Sequence, residues 1–183
     1  MPEFLIVYSS THGHNKKIAE RVAKTLREDG GVPVLFEASS ALHVSPSDYD
    51  AVIVGGSIHV GHHQPEVVDW VKKHAIALTD MPSAFFSVCL TSADDTDEAR
   101  ATAQTFVDDF LDDTGWTPRK TAVFAGALQY LEYNLATRLL IKMMMKRDGR
   151  PTDTSRDYDY TDWDAVESFG HECASMLVGA GVR

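Results

Sequence analysis

Five short apolar segments constrain the fold more than any other feature of the chain. They occupy residues 4–8, 33–37, 51–56, 84–90 and 121–126, and each is nearly continuous in apolar residues rather than alternating. Strands that are covered on both faces show this pattern, and they occur mainly in parallel sheets. The segments therefore predict five parallel strands buried between two layers of helices.

Helical periods fill the intervals between these segments. Ile18, Val22 and Leu26 recur every four residues, and apolar stripes with helical spacing also run through 67–78 and 99–111. Strands that alternate with helices indicate βαβ units with right-handed crossovers. We therefore predict a doubly wound α/β fold, in a single domain that spans residues 1–183.

A last helix is predicted to begin at the sequence TDWD, residues 161–164. In this interpretation Thr161 is the N-cap, and Asp164, three residues later, completes a capping box. The helix would carry Val166 and Phe169 on its buried side.

The composition argues against a nucleic-acid-binding protein. The formal net charge is −10 and the pI is near 5.1, whereas phosphate backbones require clustered Lys and Arg. Cys89 and Cys173 form no CxxC pair, so they are interpreted as small buried hydrophobes in a reducing compartment. No window approaches the roughly 20 apolar residues of a membrane-spanning helix. We expect a cytoplasmic protein.

The turn after the first segment is unusually rich in hydrogen-bonding groups. It is Ser9, Ser10, Thr11, His12, Gly13, His14 and Asn15. A strand that ends in such a turn and leads into a helix places backbone N–H groups and hydroxyl donors around one point, next to the positive end of the helix dipole. Gly13 permits a positive φ or a close approach. The turn predicts a phosphate site, and an ordinary connection with a helix cap remains the alternative.

Two further loops should share this site, because doubly wound sheets bind ligands at the carboxyl ends of their strands. No Walker P-loop and no GxGxxG follows any predicted strand. Gly55 and Gly56 would permit a close approach after the third strand. The loop residues of interest there are Ser57, Ile58, His59, Val60 and Gly61; those after the fourth strand are Cys89, Leu90, Thr91 and Ser92. A phosphate at one strand end and a planar ring against two others describe flavin mononucleotide (FMN).

The histidines near the third strand are interpreted as flavin neighbours rather than metal ligands. His59, His62 and His63 have no nearby carboxylate in their loop except Glu66, which is a poor ligand set for a metal. His59 would lie beside the flavin ring. The acidic run at 94–113 is interpreted as a solvated helix face.

About 35 residues, at roughly 127–160, separate the fifth strand from the last helix, which exceeds a normal connection. They are predicted to form a helical insertion. Within 135–147, Arg138, Lys142 and Lys146 lie four residues apart among apolar side chains. Two interpretations stay open: burial on two sides, within the fold or in an oligomer, or a surface for lipid, quinone or porphyrin, including the inner face of the membrane.

Several segments together resemble one known family. They are SIHVGHH (57–63), WVKKHA (70–75), MPSAFFSV (81–88), FAGAL (124–128), RLLIKMMMK (138–146) and YTDW (160–163). The chain is similar from end to end to the menaquinone-dependent protoporphyrinogen IX dehydrogenases, which have a flavodoxin-like fold. The resemblance implies tightly associated FMN, oxidation of protoporphyrinogen IX in haem biosynthesis, and a membrane quinone, menaquinone, as electron acceptor.

Carried over by position, the resemblance assigns 9–15 to the FMN phosphate, and 57–61 with 89–92 to the ring. A further side would be closed by Gly126, Ala127, Leu128 and Tyr130. The chain departs from flavodoxin-type loops at Asn15, where threonine is usual, and in its acidic stretch after the fourth strand. The resemblance identifies no catalytic residue.

Two rival functions remain on the sequence alone. A flavodoxin that only carries electrons would not need the Met-rich insertion, and a quinone reductase without porphyrin activity would suit the acidic stretch. A receiver domain shares the fold but needs an Asp at the end of the third strand, where this chain has Gly55-Gly56-Ser57. That signalling function is excluded.

Overall fold

The structure, a computed structural model, describes residues 1–129, 131, 135–147, 149 and 152–177. Tyr130, which the sequence places at the site, lies outside the described residues. The elements in chain order are β1 Glu3–Tyr8, α1 His14–Glu28, β2 Val32–Glu37, β3 Ala51–His59, β4 His62–His63, α2 Pro65–Asp80, β5 Ser83–Val88, α3 Asp97–Thr114, β6 Lys120–Phe124, β7 Ala127–Leu128, α4 Leu135–Arg147, β8 Tyr158–Asp159 and α5 Trp163–Ser175.

Five parallel strands form the main sheet in the order β2-β1-β3-β5-β6. The predicted doubly wound sheet is confirmed. Strand β3 runs three residues beyond its predicted end, because Ile58 and His59 pair with β4 in a short antiparallel hairpin. The order changes direction at β1 and β3, so the loops that follow these two strands open onto one crevice.

Successive residues of the strands point to opposite layers of the core. Phe4 and Ile6 of β1 pack with α1 and α5 on one side, whereas Leu5 and Val7 pack with α2 and α3 on the other. The central strands are therefore buried on both faces, which explains their nearly continuous hydrophobicity. Cys89 and Cys173 are also buried and free, as predicted.

In its described residues, the insertion after β6 contains two short strands and one helix. Strands β7 and β8 pair in antiparallel fashion, and α4 lies between them in the chain. Met145 of α4 and Leu128 of β7 are buried together, with Leu90 and Ile141 packed against them. This small cluster attaches the insertion to the loop after β5.

The predicted cap of the last helix is wrong by one residue. Asp162, not Thr161, is the N-cap, and its carboxylate accepts hydrogen bonds from the N–H groups of Asp164 and Ala165. Thr161 instead donates its hydroxyl proton to the Ala125 carbonyl at 2.9 Å. The same hydroxyl lies 2.7 Å from Nε2 of His14 in α1, so Thr161 contacts α1 rather than capping α5.

Across the described residues, each helix is too short or too polar to cross a membrane.

Candidate functional site

A cavity of about 230 Å³ lies at the carboxyl ends of β1, β3 and β5. The turn after β1, the end of β3 and the segment after β6 contribute to its walls, and α4 covers part of it. The structure thus brings together loops that are far apart in the sequence, at the edge where ligands bind in doubly wound sheets.

The turn after β1 has the backbone conformation that the sequence predicts. Gly13 has φ +80°, in the left-handed region, and is the N-cap of α1. Apart from Gly13 and its two chain neighbours, no atom of the described residues lies within 4 Å of the position that a Cβ on Gly13 would take, so this side of the turn is open. The helix α1 begins directly after this turn, and the first N–H groups of a helix can bind an anion.

Asn15 stabilises the backbone of this turn through its side-chain amide. Its side-chain Nδ2 donates to the Ser9 carbonyl at 2.6 Å, and the residue is only 2% exposed. Its Oδ1 has no hydrogen-bond partner among the described residues, although Asn15 lines the cavity. A buried acceptor without a partner costs about 1–3 kcal/mol. The site therefore favours a ligand that offers a hydrogen-bond donor to this oxygen.

Gln64, which the sequence did not single out, joins the turn after β1 to the end of β3. Its Oε1 accepts from the hydroxyl of Ser9, from the Ser57 N–H at 3.3 Å and from the Ser57 hydroxyl at 3.1 Å. Its Nε2 donates to the Thr11 hydroxyl at 3.0 Å. No motif marks this residue, because its partners come from two other loops.

His14 connects the start of α1 to the start of α5. Its Nε2 lies 2.7 Å from the Thr161 hydroxyl and 3.7 Å from the Asp159 carboxylate. The single hydroxyl proton of Thr161 is used on Ala125, so Thr161 accepts and His14 Nε2 carries the proton. Burial, the largest effect, lowers the pKa of His14, although Asp159 opposes the shift.

His59 lines both the main cavity and the adjoining one, beside the polar turn after β1. Its Nε2 is 3.2 Å from the Thr11 hydroxyl and 3.4 Å from the Ser57 hydroxyl. Burial and then the neighbouring His12, whose ring centroid is 6.4 Å away, lower the pKa of His59. A neutral imidazole at neutral pH follows from this environment.

The hairpin beyond His59 turns through two residues with positive φ. Val60 has φ 50° and Gly61 has φ 82°, which is the pattern of a type I′ turn. Val60 is β-branched, so this conformation is strained, and its side chain is fully exposed at the hairpin tip. Neither residue lines the cavity.

The interpretation of Gly55 and Gly56 as ligand-approach positions is wrong. A Cβ on Gly55 would lie 2.1 Å from the Phe86 ring, and one on Gly56 would lie 2.8 Å from the His63 ring. These glycines make room for side chains of the protein itself. His63 is buried, donates to or accepts from the Ser87 hydroxyl at 2.9 Å, and contacts Phe85.

An apolar wall faces the polar turn. Val88, Leu90, Leu128, Ile141 and Met145 line this side of the cavity. The sequence analysis predicted Leu90 and Leu128 as site residues, whereas it placed Val88 in a strand without a role in the site. Ile141 and Met145 come from α4, so the insertion contributes directly to the site.

Most of the predicted site residues meet at this cavity. Those that line it are Ser10, Thr11, His12, His14, Asn15, Ser57, Ile58, His59, Leu90, Gly126, Ala127 and Leu128. Ser9 lines an adjoining cavity, and Gly13 forms the turn without lining either one. Cys89 is buried, and Thr91 and Ser92 lie in a short 3-10 turn behind the wall.

The described lining of the cavity is polar without being positively charged. Among the described residues that line the cavity there is no Lys or Arg, so hydroxyls, backbone N–H groups and histidines are its polar groups. Glu37 and Glu66 line the adjoining cavity, where an anion is disfavoured. Within the described part of the chain no group of His, Cys, Asp and Glu is arranged to hold a metal ion.

The strand order and the polar turn at the start of α1 define a protein of the flavodoxin type. In agreement, the family model of the flavodoxin domain matches residues 5–155. The fold is also that of oxidised flavodoxin 1 from Bacillus cereus, with a TM-score of 0.57 at 15% identity over 94% of this chain and 97% of that one.

Two relatives with known names show to which family within the flavodoxin type the chain belongs. The chain is 38% identical to "Protoporphyrinogen IX dehydrogenase [quinone]" of Leishmania major, over 100% of this chain and 79% of the relative. It is 37% identical to the protein of the same name from Escherichia coli K12, over 94% of both chains. The chain therefore belongs to the flavodoxin domain family and, within it, to the protoporphyrinogen IX dehydrogenase [quinone] family.

Proposed function

We propose that this protein binds FMN and oxidises protoporphyrinogen IX to protoporphyrin IX, with a membrane quinone such as menaquinone as the electron acceptor. The observation that carries the proposal is the cavity at the ends of β1, β3 and β5, in a chain 37–38% identical to relatives named for this reaction. When bound, FMN supplies the redox chemistry, because its ring accepts hydride equivalents from the substrate and is reoxidised by quinone.

The residues of the polar turn fit the ribityl phosphate of FMN. The open space above Gly13 and the first N–H groups of α1 suit a phosphate. The unpartnered Oδ1 of Asn15 suits a hydroxyl donor, which the ribityl chain supplies next to its phosphate. The donor set therefore fits a polyol phosphate.

The apolar wall suits the flat ring. Val88, Leu128, Ile141 and Met145 would contact an apolar surface and exclude water from one side of it. His59 would lie at the ring edge with a neutral imidazole, and the Thr11 hydroxyl, 3.2 Å from its Nε2, holds that imidazole in place. The protein would thus bind and orient the cofactor and keep the reacting face dry.

Anaerobic reduction of the FMN-loaded protein by protoporphyrinogen IX tests the proposal. We expect the flavin absorbance to bleach with the porphyrinogen and to recover when a menaquinone analogue is added. Gly13→Asp, which places a carboxylate at the phosphate position, should abolish FMN binding and serves as the control for specific loading. A flavin that stays oxidised with protoporphyrinogen IX, but is reduced by other donors and reoxidised by quinone, would contradict only the proposed substrate.

The outer face of α4 is the part of the protein that we propose to contact the membrane. Leu135, Leu139 and Met143 recur every four residues and are 82%, 61% and 64% exposed. Lys142 and Lys146 are exposed on the same helix, in a chain of net charge −10. An apolar face with flanking cations suits the surface of a membrane that contains anionic lipids, and membrane quinones dissolve in the hydrocarbon of such a membrane.

Sedimentation with vesicles of anionic phospholipid tests this contact. Lys142→Glu combined with Lys146→Glu should weaken vesicle binding and quinone-coupled turnover, while FMN stays bound. The matched control is Lys24→Glu with Arg27→Glu on α1, which changes the net charge equally but should leave vesicle binding intact. Equal binding by the two double variants would contradict a membrane role for α4.

A further inference from the structure

The side chain of Gln64 points away from the helix that this residue precedes. Gln64 is the N-cap of α2, yet its side chain makes no capping hydrogen bond. The following Pro65 restricts Gln64 to an extended backbone, here φ −62° and ψ 138°. The side chain instead turns toward the sheet, where the residue is 9% exposed.

The contacts of Gln64 fix which of its amide atoms faces which neighbour. The backbone N–H of Ser57 can only donate, so the atom 3.3 Å from it must be the amide oxygen. The hydroxyls of Ser9 and Ser57 face the same oxygen. The amide nitrogen is therefore directed at Thr11, 3.0 Å away, and must donate to it.

This orientation decides what the Thr11 hydroxyl can do. A hydroxyl has one proton, and Thr11 already accepts from Gln64, so its proton is available for an acceptor on the cavity side. His59 Nε2, 3.2 Å away, is such an acceptor in the tautomer that carries its proton on Nδ1. A phosphate oxygen at the start of α1 would present the same kind of acceptor, and a chain of hydrogen bonds with one direction strengthens its members.

We propose that Gln64 is a positioning residue that makes Thr11 a donor and thereby gives the site its preference for a phosphorylated flavin over the unphosphorylated one. The inference rests on the proposed FMN site. It adds that selectivity for the phosphate depends on a side chain that lies behind the hydroxyl and does not touch the ligand. Lysine and arginine are absent from the described cavity lining, so the direction of such neutral donors matters more than usual.

Substitution of Gln64 by Glu reverses the polarity with the smallest change of shape. The carboxylate still accepts from Ser9 and Ser57, but it can no longer donate to Thr11. Thr11 would then donate to the carboxylate and present lone pairs to the phosphate. The Kd for FMN should rise about 10- to 100-fold, the range expected for loss of a hydrogen bond to a charged group.

Flavin fluorescence titration with FMN and with riboflavin, which lacks the phosphate, separates a positioning role from a merely structural one. In Gln64→Glu, riboflavin affinity should change by no more than about twofold, so the FMN preference collapses. The matched control is Gln104→Glu on α3, an exposed glutamine that bonds Asp108; both affinities should match the wild type. A loss of equal size for both ligands, or no loss for FMN, overturns the inference.

The Thr11→Val background tests the route through the hydroxyl. There, Gln64→Glu should weaken FMN binding much less than it does in the wild-type background, because no hydroxyl remains to reverse. If the whole loss persists, repulsion by the new charge explains it and the inference is wrong. Should Gln64→Glu fail to fold, Gln64→Met keeps the length without donor or charge, and an FMN-specific loss of about threefold is expected.

The titration also distinguishes the inference from the function on which it rests. A wild-type protein without preference for FMN over riboflavin would contradict the proposed phosphate site itself. A wild-type preference that survives unchanged in Gln64→Glu would contradict only the role of Gln64.

Discussion

The hydrogen bonds of Thr161 provide a sharp test of how the site is held together. Thr161→Val keeps the shape of the side chain but removes the hydroxyl that donates to Ala125 at 2.9 Å and accepts from His14 at 2.7 Å. His14 is 8% and Ala125 9% exposed, so water cannot easily replace the lost partner. The variant leaves one buried donor and one buried acceptor unpaired.

The expected magnitude follows from these two groups. An unpaired buried group costs about 1–3 kcal/mol, and Asp159 at 3.7 Å can partly compensate His14. We expect the free energy of unfolding to fall by about 2–4 kcal/mol, and the Tm to fall by about 5–15 °C in a chain of this size. Thr161→Ser, which keeps the hydroxyl, should lose less than about 1 kcal/mol.

Urea unfolding of a double-mutant cycle is the assay. His14→Phe removes the ring donor, so Thr161→Val in that background should cost only the unpaired Ala125 carbonyl. The two substitutions should therefore couple by about 1–2 kcal/mol. A Thr161→Val variant that loses less than about 0.5 kcal/mol, or the same loss in both backgrounds, would refute the assigned hydrogen bonds.

Two further predictions concern the core beneath the site. Gly55→Ala should destabilise the fold by about 1–3 kcal/mol in urea unfolding, because its Cβ would fall 2.1 Å from the Phe86 ring; a change below about 0.5 kcal/mol would contradict the close contact. Burial, the larger cause, and the neighbouring His62 lower the pKa of His63 from 6.5 to about 4. Below pH 6.5, His63 therefore becomes protonated in the unfolded chain but stays neutral in the folded protein. Between pH 7.5 and 5 the free energy of unfolding of the wild type should fall by about 2 kcal/mol through this residue. The His63→Gln variant should lack that part of the pH dependence. If urea unfolding shows the same fall in both proteins over this pH range, His63 is not its cause.

The chain by itself determined the layout of the sheet. A nearly continuous apolar segment such as 51–56 must be buried on both faces of its strand. The segments with helical periodicity between the strands form the helices that bury those faces. The same reasoning located the polar turn at 9–15, because a helix that starts directly after a strand leaves its first N–H groups free. These features are local, so they can be read from neighbouring residues.

The tertiary structure decided the parts that depend on contacts between distant segments. Gly55 and Gly56 were interpreted as room for a ligand, but the rings beneath them come from Phe86 and His63. Gln64 acquired its role only because β1 and β3 are adjacent in the sheet, which brings Ser9 and Ser57 to one amide group.

The same distinction applies to α4. Its sequence left two interpretations open, because Arg138, Lys142 and Lys146 divide an otherwise apolar helix without indicating which side meets the protein. The structure buries Met145, half-buries Ile141 against the cavity and leaves Leu139 exposed. Periodicity can establish that a helix has faces, but only the packing partner decides which face is inside, and that partner is distant in the chain.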